Sequence, residues 1–395
     1  MPARAPQIQA EVKHPSALSD ADIAQWRAFC AAEPAFRNPL LGPDFARLVG
    51  EVRTDARVAV LRRRGSTVGF LPFHKRGSGY ARPIGAAFSD YHALVSAPGE
   101  RPDLAEAMRA AGVGALRFTG LVDPAGACPL ARPSPMQGHL IALAGSPEAR
   151  HDALRAANPK RYKNWRRLEN KLEREFGAVS VSPGDRDPAA FAQLLDWKRE
   201  QFRRTGAHDV LRPAWAQALF AAAFAARSSE LCGVMTTLRA GGRLVAGHFG
   251  VASAGVCHVW ISAMDPDCVA GGPGQVLMLH APELMQALGL RVYDLGPGHA
   301  HYKAPFATGQ VSLGEGVALA AGSANLAARS MEGAWALAGG RIDAVGRLRR
   351  RLDQIDAAEL SISGRVLGLI EAVAGQGRRA SSREQPRADA TAEQA

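Results

Sequence analysis

The stretch CHVWISAMDPDCVAGGPGQVLMLHAPELMQALGLRVYDLG, residues 257–296, constrains this chain more than any other. A β-rich run over 257–264 enters a loop holding Gly271, Gly272, Pro273 and Gly274. Helical periodicity follows over 275–288, with Leu277, Leu284 and Leu288 on its inner face, and a second β-rich run over 291–295 comes after Gly289. The pattern is strand, glycine-rich loop, helix, strand. Backbone N–H groups at a helix start are unpaired, and glycine lets a ligand approach them closely, so such a loop can hold a pyrophosphate. The residues in position are Gly271, Gly272, Gly274 and Gln275. Pro273 has no N–H to offer but presets φ for the first helical turn. A glycine-rich turn before a helix is also a common plain connector, and both readings stand at this point.

Two helices, DPAAFAQLLDWKREQF and RPAWAQALFAAAFAA, precede GVMTTLRAGGRLVAGHFGVASAGVCHVWISAMD, which reads as three antiparallel strands with turns at 241–242 and near 255. The first half has a similar order. LSDADIAQWRAFCAAE reads as a helix capped by Ser19 with Asp20 and Asp22 in its first turn, and RVAVLRRRGSTVGFLPFHKR, 57–76, as a hairpin around Gly65–Ser66. LRRRGSTVGFL and LRAGGRLVAGH align in register, so two related lobes are expected. Between them lies a charged helix, NPKRYKNWRRLENKLEREFG, with Tyr162, Trp165, Leu168 and Leu172 at helical spacing and seven basic residues from Lys160 to Arg174. The expected division is a flexible start over 1–18, a first lobe over 19–150, the basic linking helix over 151–185, a second lobe over 186–320, a helical extension over 321–374 and a disordered tail over 375–395.

At 47% hydrophobic, 395 residues suffice for two cores. No run of about 18 uncharged apolar residues occurs, and the first twenty residues have no apolar signal-type segment. The five cysteines form no Cys-x-x-Cys pair, which argues against a zinc site or a disulfide frame and fits a reducing cytoplasm. The net charge of +11 allows a nucleic acid, a membrane surface or a polyphosphate ligand as partner, or simply a soluble basic surface.

RVYDLGPGHAHYKAPF, 291–306, tests a rival. Asp294, Gly296 and Gly298 resemble the turn that holds S-adenosylmethionine. However, Ala300 replaces the third glycine, Pro305 lies where a helix should run, and too little chain follows for another sheet. The methyltransferase reading is set aside.

The order of elements is similar to that of GNAT acyltransferases, in which a loop after the fourth strand holds the pyrophosphate of coenzyme A. More narrowly, residues 20–320 resemble the CelD-type branch associated with cellulose and exopolysaccharide biosynthesis, which is related to FemAB-type transferases with paired GNAT lobes. The motifs are FLPF (70–73), ARPIGAAFSDYHALV (81–95), RYKNWRRLENKLEREFG (161–177), LVAGHFGV (244–251), GGPGQVLMLHAPELMQALGL (271–290) and DLGPGHAHYKAPF (294–306). The resemblance implies an α/β (α+β) fold of two tandem lobes with mixed, largely antiparallel sheets plus C-terminal helices. It also implies transfer of an acyl group, acetyl in the simplest case, from acyl-CoA to an amine or hydroxyl of a small-molecule or sugar-type acceptor. Direct attack is expected because no cysteine lies within the glycine loop or the strand after it, and no metal is expected on the cysteine pattern.

His248, in the middle strand, stands where that superfamily often has its base, and Asp294 is a second candidate for taking the acceptor proton. Tyr302 is a proton donor to the leaving sulfur, and Lys303 a holder of an anionic group. Asp90 and Tyr91 reach the same cleft if the lobes pack face to face, and are read as substrate-binding. Each of these residues also has an ordinary structural explanation as a packed histidine, a turn or a surface pair. Two other readings stay open. One is aminoacyl transfer from tRNA, with the 160–174 helix on RNA phosphates. The other is an inactive scaffold held at a membrane-bound synthase by the basic, amphipathic RLRRRLDQI, 347–355.

Overall fold

The computed structural model describes residues 7–129, 131–298, 300–320, 326, 330, 334, 337, 343–361 and 363–370. The expected tail over 375–395 and most of the extension between 321 and 342 lie outside the described residues.

Local chemistry sets the first elements. Helix α1 (Asp20–Ala32) starts at Ser19, whose hydroxyl accepts from the Asp22 N–H while the Asp22 carboxylate accepts from the Ser19 N–H. Helix α2 (Pro43–Val52) follows a 3₁₀ turn, Pro39–Leu41, that Asn38 caps. The strands of the first half are β1 (Gln9–Lys13), β2 (Ala56–Arg63), β3 (Ser66–Lys75), β4 (Tyr80–Pro83), β5 (Val95–Ser96), β6 (Ala115–Leu121), β7 (Arg132–Pro133) and β8 (Gln137–Ala142), with helix α3 (Leu104–Ala110) before β6. Next come helices α4 (Pro147–Ala157) and α5 (Pro159–Phe176), strand β9 (Val179–Pro183), and helices α6 (Pro188–Thr205) and α7 (Ala214–Ala225). Strands β10 (Cys232–Ala240), β11 (Arg243–Ser253) and β12 (Val256–Met264) lead to helix α8 (Pro273–Ala287) and β13 (Val292–Gly298). The short helix α9 (Ala300–Lys303), β14 (Gly309–Val311), β15 (Gly314–Leu319) and helix α10 (Asp343–Ala358) complete the described chain.

These strands form the expected pair of mixed, largely antiparallel sheets. The first runs β1-β2-β3-β4-β6-β15-β7, with β5 also on β3, and the second β14-β8-β13-β12-β11-β10-β9. The start of the chain departs from expectation. Residues 9–13 are an edge strand in register with β2 from Gln9–Arg62 to Lys13–Val58, because β2 offers them a free edge. The sheets also exchange strands. β8, from the first half, sits between β13 and β14, while β15, from the end of the second, pairs with β6. The lobes are therefore tied together by backbone ladders as well as by side chains.

Apolar packing closes the same seam. One core cluster joins Trp26, Phe45 and Phe70 of the first lobe to Phe191, Trp215, Phe220 and Phe249 of the second. On the other face of the second sheet, α5 and α8 pack with Trp165, Leu168, Leu172, Leu277 and Met285. Trp215 ties the seam to helix α10. The Arg53 guanidinium lies 4.5 Å above it, the Phe88 ring meets it edge-on at 5.6 Å, and its indole N–H donates to the Ala358 carbonyl of α10 at 2.7 Å. Arg82 and Arg117 hold the same helix through Asp353. No helix among the described residues is long and apolar enough to cross a membrane.

Trp215→Ala leaves a cavity under Arg53 and releases α10, so it is expected to lower stability by about 3–5 kcal/mol in a urea titration; a loss below about 1 kcal/mol would show that the seam does not depend on this ring.

Candidate active site

Strands β12 and β13 are parallel and pair at three positions only: Val256 with Val292, Cys257 with Tyr293 and His258 with Asp294. Beyond them each strand is bent. The pairing of β12 with β11 shifts between Phe249 and Gly250, and that of β13 with β8 shifts between Asp294 and Pro297, where Gly296 takes a φ of 72°. Extra residues of this kind kink a strand away from its neighbour. The two strands therefore fork, and a cavity of about 90 Å³ opens there, lined by Lys198, His248, Ser262, Leu295, Tyr302 and Lys303 among others.

The crotch of the fork is ionic and spans both lobes. His258 is fully buried. Its Nε2 lies 3.0 Å from Asp90 Oδ2, and its Nδ1 lies 3.4 Å from Asp294 Oδ2. Asn38, fixed by accepting the Leu40 N–H, donates its amide to Asp294 Oδ2 at 2.8 Å. Asp294 Oδ1 accepts from the Tyr91 hydroxyl at 3.1 Å and from the Gly296 N–H at 2.8 Å. The loop carrying Asp90 and Tyr91 can come this close because of two glycines. A Cβ on Gly120 would stand 2.0 Å from the Asp90 carbonyl oxygen, and one on Gly138 would stand 1.9 Å from the Tyr91 hydroxyl. Burial alone would lower the imidazole pKa, but Asp294 and Asp90 outweigh it and raise it to about 9.

These contacts reassign two expected roles. Asp294 is 1% exposed and its oxygens are committed to Asn38, Tyr91 and Gly296, so it is a positioning group and not a free base. Tyr91, equally buried, orients Asp294 and is not a surface for substrate. Asp90 has a side chain 36% exposed and is the member of the cluster that faces outward.

Above the crotch the cavity is basic. Lys303 Nζ donates to the Leu295 carbonyl at 2.6 Å and the Pro297 carbonyl at 3.3 Å, which pins the departing end of β13. Lys198, on α6, donates to Gln201 at 3.0 Å. Neither ammonium has a carboxylate within ion-pair distance among the described residues. Desolvation, reinforced by Lys303 and opposed by Asp90, lowers Lys198 to about 8. Burial likewise lowers Lys303, against the pull of Asp90 and Asp294. Tyr302 stands at the mouth, 43% exposed, and burial of the rest of its ring raises its phenol pKa. His248 lines the cavity, but its Nδ1 is 2.6 Å from the Tyr293 hydroxyl. Burial and the two lysines push its pKa down to about 3. An imidazole so reluctant to hold a proton is a poor base.

The loop before α8 is present, with less open backbone than expected. A Cβ on Gly271 would stand 2.5 Å from the Leu172 side chain, and one on Gly272 would stand 2.7 Å from Leu168, so these glycines admit α5 against the loop. The Gln275 and Val276 N–H groups already close on the Gly272 carbonyl. Pro273 has none, which leaves the Gly274 N–H in the first turn. Gly274 is also open, with Met264 Cε at 3.8 Å the nearest atom to a Cβ there.

His258, Asn38, Lys198 and Tyr293 are the members that sequence reasoning missed. His258 looks like packing in an apolar strand, Asn38 like a cap, and Lys198 like the solvent face of DWKREQF. One available signal was that His258 is a polar residue in a run too apolar to tolerate it unpaired.

Residues 159–304 match the family described as acetyltransferase (GNAT) domain. Among solved structures, the chain is similar to FemX at 12% identity and a TM-score of 0.49, covering 78% of this chain and 96% of that one. It is similar to a tandem GNAT protein from the clavulanic acid biosynthesis pathway at 13% identity and a TM-score of 0.42, covering 80% and 100%. A conserved protein of unknown function from Bacteroides thetaiotaomicron is similar at 12% identity and a TM-score of 0.47, covering 79% and 100%. No curated protein sequence matches the chain.

Because the folded pKa of His258 is raised, the stability it contributes is fully present below the unfolded imidazole value of about 6.5 and is lost as pH rises through about 9. The gap in urea midpoint between the wild-type chain and Asp90→Asn is expected to be widest near pH 6 and to shrink towards pH 9.5. A gap independent of pH would show that His258 carries no proton to lose.

Proposed function

We propose that the chain is an acyltransferase that works in the fork between β12 and β13, taking an acyl group from a coenzyme A thioester and passing it to an amine or hydroxyl. The observation that carries the reading is the fork itself, with Lys198, Lys303 and Tyr302 gathered around one small cavity. The match of residues 159–304 to the acetyltransferase domain family supports the same reading. A sugar-type acceptor is part of the proposal and rests on the resemblance to exopolysaccharide-associated proteins.

The donor, when bound, supplies an activated carbonyl. This chain's own groups do the rest. Lys198, with a pKa of about 8, is partly neutral at working pH and takes the proton of the acceptor. Tyr302, protonated and at the cavity mouth, gives its proton to the departing sulfur. Lys303, held by two carbonyls of β13, brings positive charge to the place where the acyl oxygen gains negative charge. Asp90 holds His258 from outside the cavity, and Asn38 and Tyr91 hold Asp294. The Gly274 N–H and the α8 dipole suit a phosphate of the donor.

A second reading, aminoacyl transfer from tRNA, has in its favour the exposed Lys160, Arg161, Lys163 and Arg167 on α5, whose other face covers the loop.

Calorimetric titration with acetyl-CoA is expected to show saturable binding, abolished in Gly274→Glu, where the side chain has room but its charge meets the phosphate. Lys198→Gln is expected to keep that binding and lower kcat/KM by about 10²–10⁴-fold, and to remove the limb of the pH profile that rises through about 8. Unchanged affinity in Gly274→Glu would refute the loop assignment. Binding of tRNA without acetyl-CoA would favour the second reading.

A further inference from the structure

A second cluster of reactive side chains lies on the far face of the second sheet, where α4, α5 and α8 meet around a groove of about 710 Å³. His280 and Glu283 are three residues apart on α8, hence on one helix face. His151 of α4 stands opposite, and one ligand atom from each of the three lies within 4.8 Å of the others. None of them takes part in the chemistry of the fork.

Their immediate neighbours favour a ligand over an ion pair. His280 Nε2 is 2.8 Å from Glu169 Oε1, a carboxylate on α5 that also binds Arg166. A carboxylate paired with Arg166 accepts from the imidazole. The imidazole therefore donates from Nε2 and presents the lone pair of Nδ1. His151 Nδ1 is 2.9 Å from the Tyr162 hydroxyl, also on α5. In the tautomer that donates there, the Nε2 lone pair lies 2.7 Å from Glu283 Oε1. That contact is close but not aligned as a hydrogen bond, and Glu283 Oε1 is buried without a hydrogen-bond partner. In that tautomer two lone-pair atoms stand side by side, and a cation about 2 Å from each, bound by both on their open side, would relieve the repulsion. A partner that fixes the tautomer of each histidine from behind is the usual arrangement around a bound metal.

We propose that His151, His280 and Glu283 bind a divalent transition metal of the zinc class. Two imidazoles and one carboxylate suit that ion and not calcium or magnesium, which prefer oxygen. Three protein ligands leave a fourth position, which opens onto the groove with Arg155 and Arg166 at its edge, so the exchangeable ligand is water or a small anion. The expectation of no metal came from the cysteines, and cysteine plays no part in this site. The site does not rest on the acyltransferase reading.

The test uses the full chain without a histidine tag, stripped with EDTA and titrated with Zn²⁺ in a calorimeter, then with Co²⁺ followed by visible absorbance. One equivalent is expected to bind, with Co²⁺ giving the intense bands of a four-coordinate site, and Mg²⁺ is expected not to compete. His151→Gln and Glu283→Gln, each checked for an unchanged circular dichroism spectrum, are expected to weaken binding by at least about 100-fold. Glu169→Gln, which touches no metal but releases the His280 tautomer, is expected to weaken it by about 10–100-fold. No binding by the wild-type chain, or equal affinity in His151→Gln and Glu283→Gln, would overturn the proposal.

Discussion

The fork between β12 and β13 depends on one buried ionic bridge, Asp90–His258–Asp294. Two parallel strands that diverge leave backbone groups and side chains without partners, and something must compensate at the point of separation. Here the last paired residues are themselves His258 and Asp294, and the first lobe supplies Asp90, Tyr91 and Asn38 to complete their hydrogen bonds. A buried imidazolium between two carboxylates is favourable only when every member is satisfied. The fork of the second lobe is therefore completed by side chains of the first.

That dependence explains the exchange of strands and the placement of glycines. β8 and β15 each cross to the other sheet, so neither sheet is complete without its partner lobe. Gly120 and Gly138 let the 84–94 loop pass close enough for Asp90 and Tyr91 to reach β12 and β13. The basic cavity above benefits in turn. Lys198 and Lys303 lie near each other partly desolvated, and burial reinforced by mutual repulsion, against the pull of Asp90, brings Lys198 towards neutrality.

The two faces of the second sheet carry different chemistry for a geometric reason. The face towards the first lobe receives α6 and α7 and their aromatic core, and at its open end the fork. The opposite face is covered by α5 and α8. The polar side of α5, Tyr162, Arg166 and Glu169, meets histidines of α4 and α8, and its apolar side, Leu168 and Leu172, closes over the glycine loop. A single helix thus contributes to both the proposed metal site and the roof of the loop.

Much of the architecture was legible in local pattern. Hairpin turns at Gly65 and at 241–242, the Ser19 cap, the charged helix and the loop before α8 all follow from short-range rules about φ, capping and periodicity. Asp90, Tyr91, Asp294, Tyr302 and Lys303 could be singled out because polar residues in turns next to glycines are conspicuous. Their roles could not be assigned, since a role depends on what lies opposite. Asp294 became a positioning group only when Asn38 and Tyr91, hundreds of residues away in sequence, took up its oxygens, and His248 lost its suitability as a base only through burial beside two lysines. The sequence alone determined the elements and their order, because backbone sterics and hydrophobic period act over a few residues. The tertiary structure alone decided which strand completes which sheet, which groups are protonated and where the fork opens, because those depend on desolvation and on charges brought together from distant parts of the chain.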